Sequence, residues 1–351
     1  MTAQNNRTTP STPLRCGVVG VGRMGRHHAR VYATALSDVA TLVGVVDSDH
    51  ERAAGIATTY ESQAFESVEA MIDAGVDAVT VATPTQFHYD CCEPLLKAGV
   101  ACLVEKPLAP NVREARQIAD LARSTGSILQ VGHIERYNPA VRAVVDRRDL
   151  KLQPRFIEVH RVSPMSFRSL DVGVVLDMMI HDLDVLLMLT GEEPNEINAC
   201  AVGVLGLSED VCNARLSFPS GCVANVTASR LALKTERKTR IIAEDAYISI
   251  DYAKKSGVMI LRTANEGQLA ELQQQIESGT DLSDLDYTDL VQVEPLDIDD
   301  TDQLERQLRT FLSAVTDGTQ PEIDAEAGFA AVRTAERIVA AADAHRTRIG
   351  R

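Results

Sequence analysis

The stretch Leu14-Arg15-Cys16-Gly17-Val18-Val19-Gly20-Val21-Gly22-Arg23-Met24-Gly25 decides the fold. An apolar run ends in Gly20-x-Gly22-x-x-Gly25, and the residues after it predict a helix over 24–36. A second apolar run, Thr41-Leu42-Val43-Gly44-Val45-Val46, stops on Asp47. Strand, glycine loop, helix, strand and acid in this order make a dinucleotide-binding unit, with the acid about 20 residues beyond the glycines. Gly20 permits the tight turn, Gly22 lets backbone approach a pyrophosphate, and Gly25 lets the helix pack close to the strand. The free N–H groups and positive dipole end of that helix receive the phosphates, so Arg23 and Met24 are counted with the three glycines as cofactor contacts.

Asp47 bears on which dinucleotide binds. A carboxylate there accepts hydrogen bonds from the ribose hydroxyls, whereas a 2′-phosphate would meet like charge. Asp49 adds a second negative charge, and the nearest basic residue after Asp47 is Arg52. The expected cofactor is NAD rather than NADP.

Composition bounds the rest. The 351 residues suit two domains, and 45% hydrophobic with 24% charged residues describe an ordinary globular chain. A net charge of −15 argues against nucleic acid or an anionic membrane as the main partner, while leaving room for a local basic pocket. Residues 1–13 are polar and rich in Thr, Asn and Pro; they read as a disordered tail rather than a secretory signal. No uninterrupted apolar run of about 18 residues occurs, so no membrane span is expected. Seven scattered cysteines with no C-x-x-C pair read as small core residues, with no metal site, in a reducing cytoplasm.

Strand patterns at 15–19, 42–46, 77–82, 100–105 and 127–131 alternate with helix patterns at 24–36, 50–58, 67–74, 89–98 and 112–124. This rhythm predicts a doubly wound parallel sheet, whose ligands sit at the carboxyl ends of the strands. Thr83, Pro84 and the following His88, together with Glu105 and Lys106, are therefore read as cofactor contacts, and His133 as a substrate contact. From about residue 154 the rhythm changes: one strand-like run, a long apolar helix over 172–189, then β-rich runs at 196–206, 210–218, 221–230, 238–243, 246–251 and 257–262. Strands in succession with few helices predict an α+β half on a mainly antiparallel sheet. A helix over 264–277, an acidic exposed excursion over 281–302, and helices over about 301–317 and 325–345 complete the expectation.

The 172–189 helix is apolar except for Asp177, His181, Asp182 and Asp184. Asp177 and His181 are four apart and share a helix face. Burying such groups is costly unless they are paired or used, and a satisfied buried pair is the competing reading. Beside a dinucleotide domain they gain a use. Alcohol oxidation needs a base for the hydroxyl proton, and histidine titrates in the right range. Lys106, held by Pro107 after an apolar strand, can donate to the hydroxyl and stabilise alkoxide charge; a solvent-facing lysine is the competing reading. Arg136, Arg161 and Arg168 could grip a diphosphate by forked hydrogen bonds, although surface ion pairs fit them equally well.

Gly20-x-Gly22-x-x-Gly25, Glu105-Lys106-Pro107 and Asp177-x-x-x-His181 together resemble the Gfo/Idh/MocA oxidoreductase family, from Leu14 onward. The resemblance implies a Rossmann domain over 14–135 and a substrate and oligomerisation domain over 136–322 built on an open sheet. It also implies a C-terminal helix over 323–351 that returns to the first domain. Lys106 and His181 would be the catalytic pair, with Asp177 supporting substrate or base, and the Lys106-Pro107 bond would be cis. A homodimer or homotetramer is implied as well. Two segments, 132–140 and 168–184, resemble the branch of this family that oxidises UDP-N-acetylglucosamine at carbon 3, whose ketone product feeds a glutamate-dependent PLP aminotransferase in lipid A synthesis. On that likeness His133, Arg136, Tyr137, Asn138, Arg161, Arg168, Asp177 and His181 would meet a sugar nucleotide. A dehydrogenase of a free polyol or sugar uses the same catalytic residues and stays open. So does a non-catalytic NAD-sensing regulator, which has no need of Lys106 and His181.

Overall fold

The computed structural model describes residues 12–147, 149–150, 152–166, 172–205, 208–283 and 285–348. They form two compact units, 12–137 with 301–337 and 138–300 with 338–348.

The first unit holds β1 (Leu14–Val19), α1 (Gly25–Ala33), β2 (Ala40–Val46), α2 (His50–Thr59), β3 (Gln63–Phe65) and α3 (Val68–Asp73). It continues through β4 (Ala78–Val81), α4 (His88–Lys97), β5 (Ala101–Glu105), α5 (Val112–Thr125) and β6 (Leu129–Gly132). The strands pair in the order β3-β2-β1-β4-β5-β6, all parallel. Every residue of β4, β5 and β6 is buried, as in a sheet covered on both faces, which is why these strands read as unbroken apolar runs. The doubly wound sheet is the one expected from the sequence. Only β3 was not expected, because three residues at an edge carry no periodic signal.

The second unit begins with α6 (Pro139–Val145) and β7 (Pro154–Val162). The chain then passes through a π-helical turn at Val175–Met179 into α7 (Ile180–Thr190). β8 (Glu196–Val202), β9 (Val211–Ser217), β10 (Val223–Ser229), β11 (Glu236–Ala243), β12 (Ala246–Asp251) and β13 (Ser256–Arg262) follow. After α8 (Glu266–Glu277) comes β14 (Val291–Pro295). These eight strands run in the order β14-β13-β12-β11-β7-β10-β9-β8. All neighbours are antiparallel except β7 and β10, so the expected mainly antiparallel sheet is present. The acidic stretch read as an exposed excursion contains a strand: β14 pairs with β13 from Val258↔Pro295 to Arg262↔Val291. The density of aspartates around it hid the short Val291-Gln292-Val293 alternation.

Two helices close the chain, α9 (Gln303–Asp317) and α10 (Ala325–Arg348). α9 belongs to the first unit. Leu304, Leu308, Phe311 and Leu312 recur at i, i+4, i+7 and i+8, and they join Val31, Tyr32, Leu36 and Leu42 in one buried cluster. Each such side chain contributes about 1.5–3 kcal/mol when fully buried. Asp302 caps the helix by accepting from the Leu304 and Glu305 N–H groups at 2.8 and 3.2 Å.

Candidate active site

In the first unit the candidate groups gather where the parallel strands end. Gly20 has a φ of +84°, and a Cβ there would lie 2.7 Å from the Thr83 nitrogen. A Cβ on Gly25 would lie 1.8 Å from the Gly20 carbonyl oxygen, so α1 packs against this turn as closely as a helix can. A Cβ on Gly22 would meet nothing within 4 Å, which leaves open space where a pyrophosphate would approach. No side chain caps α1 at Met24; the Arg26 N–H donates to the Gly22 carbonyl at 3.3 Å and the His27 N–H to the Met24 carbonyl at 2.8 Å, while the positive end of the helix still faces the glycine loop and Arg23 beside it is exposed. Asp47 is fixed from two sides. Its Oδ2 accepts from the Val21 N–H at 2.8 Å, and its Oδ1 accepts from the Asp49 N–H at 2.9 Å. The Arg52 guanidinium reaches Asp47 at 3.3 Å and Asp49 at 3.0 Å. Glycines without room for a side chain, an uncapped helix start and an oriented carboxylate together fit NAD.

Beyond β4, Thr83 is half-buried and Pro84 exposed, whereas His88 is 1% exposed. The His88 ring lies between two carbonyl oxygens, Nε2 at 3.0 Å from Thr83 and Nδ1 at 3.2 Å from Leu108. Burial holds the imidazole below the usual histidine range, against the opposing pull of those carbonyls. The His88 ring, expected to touch the cofactor, ties the loop after β4 to the segment after β5.

Glu105 ends β5 and is buried. Its Oε1 is 2.9 Å from His28 Nε2, and its Oε2 accepts weakly from the Lys106 N–H at 3.3 Å. Burial alone would raise the Glu105 carboxyl, but the His28 hydrogen bond and charge and the Lys106 cation outweigh it, holding Glu105 below the usual carboxylate range. Lys106 itself is half-buried, and its bond to Pro107 is cis. The sequence reading missed His28. It lies three residues beyond Gly25 and four before Tyr32, on the face those two buried residues share, and that apolar setting is the signal that it points inward.

In the second unit, the start of the His181 helix is anchored from a distance. The Glu209 backbone carbonyl accepts from the Val174 N–H at 3.0 Å, and its carboxylate accepts from the Val175 N–H at 3.2 Å. A Cβ on Gly173 would lie 2.0 Å from that carboxylate, so only glycine lets the chain come so near. Arg230, paired with the buried Asp210 at 2.6 Å, donates to the Val172 carbonyl at 2.9 Å. The expected single α-helix is therefore a π-turn carrying Asp177 followed by α7 carrying His181. π-turns of this kind concentrate at functional sites. Asp177 and His181 are both half-buried, while the neighbouring Asp182 and Asp184 are buried.

The remaining expected substrate contacts are interior. His133, Arg136, Tyr137 and Asn138 are each at most 7% exposed. Arg136 donates to the Glu322 carbonyl at 3.5 Å, and Asn138 caps α6 by accepting from the Ala140 N–H at 3.0 Å. Arg161, read as a diphosphate ligand, is 3% exposed and forms a forked pair with Asp182, Nε to Oδ2 at 2.6 Å and Nη2 to Oδ1 at 2.8 Å. Its place on the inward alternation Ile157, Val159, Arg161 of β7 explains this. Arg168 lies outside the described residues. Among the described residues no group of three or more His, Cys, Asp and Glu is arranged to hold a metal ion.

Comparison with known proteins agrees with this geometry. Residues 14–133 match the family model described as an oxidoreductase family with an NAD-binding Rossmann fold, and residues 154–249 match the GFO/IDH/MocA C-terminal domain. The chain is 40% identical to UDP-N-acetylglucosamine 3-dehydrogenase of Acidithiobacillus ferrooxidans over 239 residues, 68% of this chain and 74% of that protein. It is 31% identical to an inositol 2-dehydrogenase of Rhizobium meliloti, over 62% of this chain and 69% of that one. A solved structure of the Acidithiobacillus enzyme superimposes with a TM-score of 0.83 at 34% identity, covering 95% of this chain and 98% of that one. The chain belongs to the Gfo/Idh/MocA family of NAD-binding oxidoreductases.

Proposed function

We propose that this protein is an NAD-dependent dehydrogenase that oxidises the 3-hydroxyl of UDP-N-acetylglucosamine to the 3-keto sugar nucleotide. The observation that carries this reading is the 40% identity to a UDP-N-acetylglucosamine 3-dehydrogenase over 68% of the chain. NAD, when bound, accepts the hydride, and the chain's own residues manage the proton. His181 takes the hydroxyl proton as general base, Lys106 donates to the same oxygen and stabilises its developing negative charge, and Asp177 orients base or substrate. Half-burial of Lys106, Asp177 and His181 supports these roles, since each side chain keeps some access. The UDP group contributes binding energy remote from the reacting carbon and so decides which hydroxyl is presented. A non-catalytic NAD sensor would need neither Lys106 nor His181.

A dehydrogenase of a free polyol is the second reading, favoured by the 31% identity to an inositol 2-dehydrogenase and by the interior placement of Arg136 and Arg161. One assay separates the two. NAD reduction is followed with UDP-N-acetylglucosamine, free N-acetylglucosamine, UDP-glucose and inositol, with a glutamate-dependent PLP aminotransferase present to draw off ketone. UDP-N-acetylglucosamine is the expected substrate. Robust oxidation of inositol with none of the UDP-sugar overturns the proposal.

The same reading places the enzyme in the cytoplasm, ahead of an aminotransferase in lipid A or amino-sugar synthesis. The free cysteines, most of them buried, are consistent with a reducing compartment. A homodimer or homotetramer is proposed as well. On β7 the residues Phe156, Glu158, His160 and Val162 alternate with the buried ones and leave one sheet face partly exposed, as a subunit contact would require. Light scattering of the eluting protein measures the assembly directly.

A further inference from the structure

Glu105 keeps its negative charge inside the protein, and the group holding it there is His28. The pair is 2.9 Å apart, with His28 fully buried and Glu105 8% exposed. Because the Glu105 carboxyl is ionised, the proton between them sits on His28 Nε2. His28 Nδ1 has no hydrogen-bond partner among the described residues, and a proton there would be a buried donor without an acceptor. On its other oxygen Glu105 meets Lys106, whose backbone N–H is 3.3 Å from Oε2 and whose cation also favours the ionised carboxyl. β6 lies close on the other side: a Cβ on Gly132 would be 3.1 Å from Glu105 Oε1.

We propose that His28 is a positioning residue for Lys106, acting through Glu105. It stands on α1, the helix whose uncapped first turn takes the dinucleotide phosphates, so one helix both seats the cofactor and fixes the carboxylate beside the catalytic lysine. The inference rests on the reading of Lys106 as the cation that stabilises the alkoxide. It goes beyond that reading in assigning the buried pair behind it.

The test compares His28→Leu, His28→Gln, Glu105→Gln and Lys106→Met, alone and with His28→Leu combined with Lys106→Met. NADH affinity is read by fluorescence titration, and kcat and KM with whichever sugar the unaltered enzyme turns over. His28→Leu and Glu105→Gln are expected to lower kcat roughly tenfold to a hundredfold, the range for a slightly misplaced reacting group, with NADH affinity and KM within about twofold. His28→Gln keeps an N–H donor and restores kcat to within about threefold of the unaltered enzyme. On the Lys106→Met background His28→Leu has no further effect, because the two act in series. A second readout needs no substrate: nitrogen NMR of histidine-labelled protein shows His28 protonated on Nε2. Protonation on Nδ1 overturns the proposal. So does a His28→Leu protein that loses NADH binding and kcat together without rescue by His28→Gln, or one with unchanged kcat while Lys106→Met is impaired. Unimpaired Lys106→Met refutes instead the role given to the lysine.

Discussion

Arg161 on β7 and Asp182 on α7 meet in a buried, forked ion pair, with both hydrogen bonds at or below 2.8 Å. Asp182 directly follows His181, so this pair clamps the helix that carries the candidate base onto the sheet. The Arg161 guanidinium also lies 5.9 Å from the centre of the Tyr252 ring, which adds a cation–π contact on the sheet side. The arginine that the sequence offers as a substrate ligand is thus held by Asp182 in the interior.

Removing one partner of this pair leaves a buried charge without its counter-ion, which costs about 3–5 kcal/mol. Arg161→Leu and Asp182→Leu should each lower the unfolding temperature markedly. The double variant, with both charges gone, should recover much of the loss. A thermal scan of the three proteins checks this, and equal destabilisation of single and double variants would refute it.

For the catalytic residues, Lys106→Ala and His181→Ala should each lower turnover by about a hundredfold or more while leaving NADH affinity nearly unchanged. With histidine as base, oxidation should quicken as pH rises through the histidine range, because only the neutral ring accepts a proton. Near-normal turnover of His181→Ala at neutral pH would move the role of base to Asp177 or Tyr137.

How much of this was legible in the sequence follows from what periodicity can carry. The glycine loop and the apolar strands announced the parallel sheet, because Gly20 and Gly25 have no space for a side chain and β4, β5 and β6 are buried throughout. β3 and β14 are too short for a pattern to stand out. The π-turn at Val175–Met179 involves a shift in backbone hydrogen bonding that side-chain spacing does not encode. Pairs such as His28 with Glu105, 77 residues apart, are set by tertiary contact alone. The burial of Arg161 was legible in the sequence, since it continues the inward alternation of Ile157 and Val159.

His88 makes acid sensitivity predictable. Its buried ring titrates below the ordinary value of 6.5, so in acid the unfolded chain binds a proton that the folded protein refuses. The stability tied to this residue is complete above about pH 6.5 and is lost as pH falls below it. His88→Asn, which can still donate to a carbonyl but does not titrate, should flatten the fall in unfolding temperature between pH 6.5 and 5. An identical fall in both proteins would show that other groups govern it.

Cofactor choice is expected to turn on Asp47 and Arg52. The Asp47 carboxylate is oriented by the Val21 N–H at 2.8 Å, and it holds the Arg52 guanidinium at 3.3 Å. A 2′-phosphate would approach that carboxylate and be repelled, so NAD should bind well ahead of NADP in the unaltered enzyme. Arg52 is nonetheless 45% exposed at its side chain and carries the charge that a 2′-phosphate seeks. Asp47→Ser removes the repulsion and releases the guanidinium from one of its two carboxylates, Asp49 remaining the other. Affinity for NADP should rise and affinity for NAD should fall, narrowing or reversing the preference. Adding Arg52→Ala to Asp47→Ser should abolish the gain for NADP while leaving NAD affinity where the single substitution put it. Titration of the three proteins with both cofactors decides the matter. Equal affinities in the unaltered enzyme would refute the role of Asp47, and an NADP gain that survives Arg52→Ala would refute that of Arg52.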